Sequence, residues 1–89
     1  MKAVITVIGK DIVGILAKVS TMCAKYNINI MDVTQSVLQD LFAMIMLVDM
    51  KTCTIDFKEF VDKMALLGED ENLKIHVMHE DIFNSMHKI

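Results

Sequence analysis

The sequence predicts an α+β fold of the split βαβ, ferredoxin-like kind: a four-stranded antiparallel sheet with two helices on one face and a short C-terminal helix. Three observations carry this. Four runs of β-branched and aliphatic residues alternate with two helically spaced runs in the order βαββαβ. Glycine or asparagine stands at the joins (Gly9, Gly14, Asn27, Gly68), and the chain has no proline. The 89 residues hold no low-complexity tract and no linker, so 1–89 reads as a single domain with a helical tail at about 81–88.

Each element follows from its own residues. Lys2 to Ile8 is rich in β-branched side chains and reads as the first strand. Ile12, Ile15, Leu16, Val19, Cys23 and Tyr26 follow helical spacing, with Lys18 and Lys25 outside it, so a helix is expected from Ile15 to Tyr26. Asn27 tolerates left-handed backbone and should stop it. Ile28 to Leu38 and Leu41 to Met50 are the next strands, with Gln39-Asp40 a turn of hairpin length. Asp56 and Glu59 form a capping-box pattern, flanked by Ile55 and Phe60 as a hydrophobic staple. The second helix should then run to about Leu67, with Phe57, Phe60, Val61 and Met64 inward and Gly68 as its stop. Leu73, Ile75 and Val77 alternate with Lys74, His76 and Met78 up to His79, the pattern of a half-buried edge strand. From Asp81 to His87 a short helix carries Ile82, Phe83 and Met86, which with Ile89 should be buried on this sheet or on a partner's. Right-handed crossovers place the first and third strands centrally and the second and fourth at the edges.

The third strand is apolar on both sides. Leu41, Ala43, Ile45 and Leu47 point one way, and Phe42, Met44, Met46 and Val48 the other. Two helices cover only one face, so the tail helix and a second subunit are both expected on the other. A lysine at Met44 or Met46 tests this expectation if theirs is the partnered face. Size agrees with it, because a domain this small buries only roughly 60–65% of its unfolded surface.

Composition removes several function classes. The hydrophobic fraction is 54%, the aromatic fraction only 6%, and the net charge −3. All nine basic residues are lysine. Without arginine the chain lacks the usual reader of bases and phosphates, which argues against nucleic acid and against phosphate-clamping enzymes such as acylphosphatases. No basic cluster points to a membrane surface. No apolar run approaches the ~18 residues of a membrane span, and no signal-peptide pattern opens the chain. Cys23 and Cys53 suggest no disulfide framework, so a reducing, cytoplasmic setting is the expectation.

One segment points to a ligand. Gly9-Lys10-Asp11-Ile12-Val13-Gly14-Ile15-Leu16 joins the first strand to the first helix. A glycine-bracketed loop at a helix N-terminus leaves backbone amides free to meet an anionic group. Asn29, opening the next strand, is a candidate to hydrogen-bond the same ligand from the side. The bland readings stand beside these: Gly14 permits close packing of helix on strand, Asp11 caps the helix, and Asn29 is a strand-entry turn residue.

With that loop and that element order, the chain resembles an ACT domain, the small regulatory module that binds amino acids in many metabolic enzymes. The resemblance rests on Ala3 to Ile8, Gly9-Lys10-Asp11, Gly14-Ile15-Leu16, Asn27-Ile28-Asn29-Ile30 and the tail from Ile82 to Ile89, and it covers the whole chain. It is closest in kind to the stand-alone bacterial and archaeal ACT proteins related to the glycine cleavage system repressor. It implies a non-enzymatic module, homodimeric, binding an amino acid at a subunit interface and acting through a protein partner. The resemblance implies Asp11 and Asn29 as ligand contacts. With the loop's own reading, the candidate ligand-binding residues are Lys10, Asp11, Ile12, Val13, Gly14, Ile15 and Asn29, and no cofactor is expected. Asp11 stands where some amino-acid-binding members carry an amide, and Val13 where a proline is common.

Two alternatives remain open: an assembly protein of the same fold with no metabolite, and a metal-binding module. For the latter, His79-Glu80 begins a zinc-helix pattern, but Phe83 stands where the second histidine belongs. His76 and His79 fall on opposite strand faces, and the nine methionines are scattered as core filler is. Catalysis lacks parts: no serine or cysteine is set beside a histidine by motif, and no carboxylate pair stands out.

Overall fold

The computed structural model describes residues 1–10 and 14–86, and of Leu38 the backbone only. The elements are β1 (Lys2–Gly9), α1 (Ile15–Lys25), β2 (Asn29–Leu38), β3 (Leu41–Asp49), α2 (Phe57–Glu71), β4 (Lys74–His79) and α3 (Glu80–Met86). The strands pair antiparallel in the order β2-β3-β1-β4, with β1 and β3 central as expected. Among the described residues no helix is long and apolar enough to cross a membrane.

The two long helices end alike. Asn27 and Asn72 take left-handed φ angles of 59° and 57°. The Asn27 N–H donates to the Ala24 carbonyl (3.1 Å) and the Ile28 N–H to that of Cys23 (2.8 Å). The Asn72 N–H donates to Glu69 (3.3 Å) and the Leu73 N–H to Gly68 (2.7 Å). This is the Schellman closure, with asparagine in the position that glycine more often fills. Gly68 is therefore not the stop that the sequence suggested; it lies inside α2. A Cβ there would sit 2.8 Å from the Leu73 carbonyl oxygen and 3.3 Å from Ile75 Cγ1, so the missing side chain lets β4 approach the helix. The expected capping box is also corrected. Asp56 is the N-cap of α2, but its side chain makes no capping hydrogen bond. The helix is anchored instead by its apolar face, with Phe60 fully buried and Ile55 packed against the core.

The core lies between the sheet and α1 and α2. Ala3, Ile5 and Val7 of β1 meet Phe42, Met44, Met46 and Val48 of β3, with Ile15, Val19, Cys23, Phe60 and Met64 above them. Leu16, expected on the inward face, is exposed, because the buried line runs Ile15, Val19, Cys23 and Leu16 falls one residue, about 100°, off it. In β2 the register shifts between Ile30 and Asp32, and this bulge aims both Ile30 and Val33 at the core.

The alternation of β3 decides which face is open. Met44 and Met46 are fully buried in the chain's own core, so a lysine at either would test the core and not a partner. The uncovered face carries Ile8, Leu41 and Ile45, the last 38% exposed at the middle of the sheet. Helix α3 covers part of this face. It packs on β1 and β4, and Val4, which alternation places there, is only 3% exposed. The expected burial of the tail is met only in part. Phe83 is half-buried, whereas Ile82 is 55% and Met86 66% exposed, since a seven-residue helix lays one side on the sheet and turns the other outward. Ile89 and the rest of 87–89 lie outside the described residues.

Candidate functional site

The first helix opens on Gly14, which has φ 75° and ψ 3°. Among the described residues nothing lies within 4 Å of a Cβ built there, so it is the left-handed backbone and not close packing on them that calls for glycine. Its carbonyl accepts the Lys18 N–H at 3.0 Å. The N-cap, a glycine, has no side chain to cap the helix, and the first turn holds no acidic residue. The first-turn amides have no acceptor within the helix. Ile15 offers only its backbone, because its side chain is buried in the core. Asp11, Ile12 and Val13 lie outside the described residues.

Lys10 is exposed at the end of β1, on the rim of a cleft of about 690 Å³. The cleft runs between the β1 end and the junction of α2 with β4. Lys74, Glu69 and Glu71 add charges of both signs to its walls, and Ile8 and Leu41 add apolar surface. Lys18 of α1 forms an ion pair with Glu71, which places the start of α1 beside the end of α2. Sequence reasoning singled out none of the α2 and β4 residues here. The available signal was Glu69-Asp70-Glu71, three carboxylates at the negative end of a helix with no base in its last turn.

Asn29 does not join this site within one chain. It pairs with Asp49, which pairs with Lys2, whereas Gly9 pairs with Phe42 at the other end of the sheet. Seven residues of strand, about 23 Å, separate the two levels. The cause is topological: α1 returns the chain to the end where β1 begins, so the first residue of β2 is level with the first of β1.

His79 has structural work. Its Nδ1 accepts the Asp81 N–H at 3.2 Å and lies 3.6 Å from Asp81 Oδ2, at the start of α3. Among the described residues no three His, Cys, Asp or Glu side chains group to hold a metal ion. Burial pushes the Cys23 thiol from 9.0 up to about 11, with the nearby Cys53 adding to the shift.

Comparison with known proteins bears on the whole chain. The ACT domain profile matches residues 2–78. A UPF0237 protein of Listeria monocytogenes is 49% identical over 89 residues, covering 100% of each chain. Among solved structures, an ACT domain protein from Streptococcus pneumoniae superposes with a TM-score of 0.82 at 38% identity over 93% of each chain. The regulatory subunit of aspartate kinase from Thermus thermophilus shares the fold alone, with a TM-score of 0.63 at 22% identity over 85% of this chain and 49% of that one.

Proposed function

The chain belongs to the ACT domain family, with UPF0237 relatives, and from that premise we propose that it is a non-enzymatic regulatory module. It binds a small molecule, an amino acid, at the Lys10 to Ile15 loop and acts through a partner protein. The observation that carries this reading is Gly14. It holds a left-handed turn at the N-terminus of α1, supplies no side chain to cap the helix, and among the described residues nothing lies within 4 Å of where a side chain would begin. A carboxylate placed there would meet the positive end of α1 and its first-turn amides.

In the same reading the ligand lies at a homodimer interface. Ile8, Leu41 and Ile45 leave an apolar surface on the open face, and alternation with Ile30 puts Asn29 on that face too. A second copy lying antiparallel on it would carry the partner subunit's Asn29 toward the loop end. Ligand binding would then favour one arrangement of the two subunits, which the protein partner reads.

A panel of the twenty common amino acids in a thermal-shift assay tests the reading. A ligand at a hundredfold its dissociation constant adds about 2.7 kcal/mol of stability. No shift with any amino acid would leave the second reading, an assembly protein without a metabolite, which the same open apolar face supports.

A further inference from the structure

Resting on the reading that an amino acid binds at this end of the domain, we propose that the cleft between the β1 end and the α2–β4 junction is the recognition pocket. It selects a zwitterion with an apolar side chain, through the ammoniums of Lys10 and Lys74 and the carboxylate of Glu69. The volume, about 690 Å³, lies within the range of small-molecule sites, roughly 300–1,000 Å³. The walls carry Lys10, Lys74, Glu69 and Glu71, the last already paired with Lys18. The mixed signs discriminate. A phosphate-like anion drawn to the lysines would face Glu69, and a polyamine drawn to Glu69 would face the two ammoniums. An α-amino acid carries one charge of each sign a few ångströms apart and suits both.

The placing of the carboxylates breaks a local rule. Glu69, Asp70 and Glu71 crowd the C-terminus of α2, where the helix dipole is already negative and the last turn has no base. Lys18 relieves this at Glu71. Glu69 stands at the cleft without an ion pair of its own among the described residues. An ammonium seated there would relieve the rest. Ile8 and Leu41, each 41% exposed, supply the apolar surface against which an aliphatic side chain would lie. The α-carboxylate would turn toward Lys10 and Lys74, at the side of the cleft from which the chain leads on to Gly14 and the α1 amides.

The test uses the full chain. L-Leucine, L-isoleucine, L-methionine and L-phenylalanine are titrated by calorimetry beside leucinamide and 4-methylpentanoate, each of which keeps the leucine side chain and lacks one charge. At least one of the four amino acids should bind, and the two single-charge analogues should bind at least tenfold more weakly than leucine. Glu69→Gln and Lys74→Gln should each weaken binding at least fivefold, while Asp62→Asn, elsewhere on α2, should not change it. Full affinity in the Glu69→Gln, Lys74→Gln double variant overturns the cleft assignment; if Gly14→Leu then abolishes binding, the loop reading still stands. Binding of polar amino acids alone also overturns the cleft's preference and spares the loop reading. A wild-type chain that binds no amino acid overturns both.

Discussion

At the scale of the residue, Gly14 and Cys23 are set by opposite conditions, one by backbone and the other by burial. Gly14 holds φ 75°, and no described residue lies within 4 Å of a Cβ there, so a side chain costs backbone strain and not a clash with them. Gly14→Leu should lower stability by about 1–2 kcal/mol in urea unfolding, while Gly14→Asn, which visits the left-handed region more readily, should lose less. Both place a side chain over the first-turn amides, so both should weaken amino-acid binding even where the asparagine variant keeps its stability. Cys23 is fully buried, and its thiol is pushed up to about 11. An unfolded thiol loses its proton near pH 9, whereas the folded one keeps it to about 11. In that window the unfolded state binds fewer protons, so stability falls as pH rises. At pH 8 a thiol reagent should label the half-buried Cys53 first and reach Cys23 only on unfolding, as mass spectrometry of the adducts will show.

At the scale of the element, hydrophobic period and topology were legible in the sequence, and the chemistry of the element ends only in part. Asn27 marks the stop of α1 as its sequence suggests, whereas the capping-box and glycine-stop patterns of α2 mislead. The period-2 runs and the Ile15, Val19, Cys23 line fixed strands and helices because burial is proportional to the apolar face each presents. Gly68 misled because a glycine allows both a left-handed stop and a close approach, and only the position of β4 distinguishes them. The consequence is measurable. In an exposed helix, Gly→Ala stabilises by about 1 kcal/mol. Here the added Cβ would press to 2.8 Å on the Leu73 carbonyl, a backbone atom that cannot swing aside. Gly68→Ala should therefore destabilise by about 1–3 kcal/mol in chemical denaturation. Helix α3 offers a second test, since it lies on β1 and β4 where Val4 is buried. Truncation after His79 should uncover Val4 and lower the melting temperature.

At the scale of the whole molecule, the sheet has one face under two helices and one face only partly covered by α3. The sequence showed that β3 is apolar on both sides, but period alone does not say which side the helices take; that depends on the hand of the two crossovers. The candidate site was legible only as far as the chain is local. The Lys10 to Ile15 loop and its glycine could be read from neighbouring residues, whereas the α2 and β4 walls of the cleft come from residues about sixty positions away. That Asn29 lies at the other end of the sheet within one chain was illegible for the same reason, because its level is fixed by the return of α1 and not by its sequence distance from the loop. The two faces of β3 now separate assembly from folding. Ile45 is 38% exposed at the centre of the open face, and its neighbour Met44 is fully buried. A charge at Met44 would enter the core with no partner, a burial that folded proteins avoid at several kcal/mol, so Met44→Lys should abolish cooperative unfolding. A charge at Ile45 on a single chain reaches water and leaves the fold intact by circular dichroism. On a dimer joined through this face it would be a charge buried in the interface without a partner. Sedimentation equilibrium should then show wild type as a dimer at micromolar concentration and Ile45→Lys as a folded monomer. A wild-type monomer, or an Ile45→Lys dimer of undiminished affinity, would exclude the open face as the subunit interface.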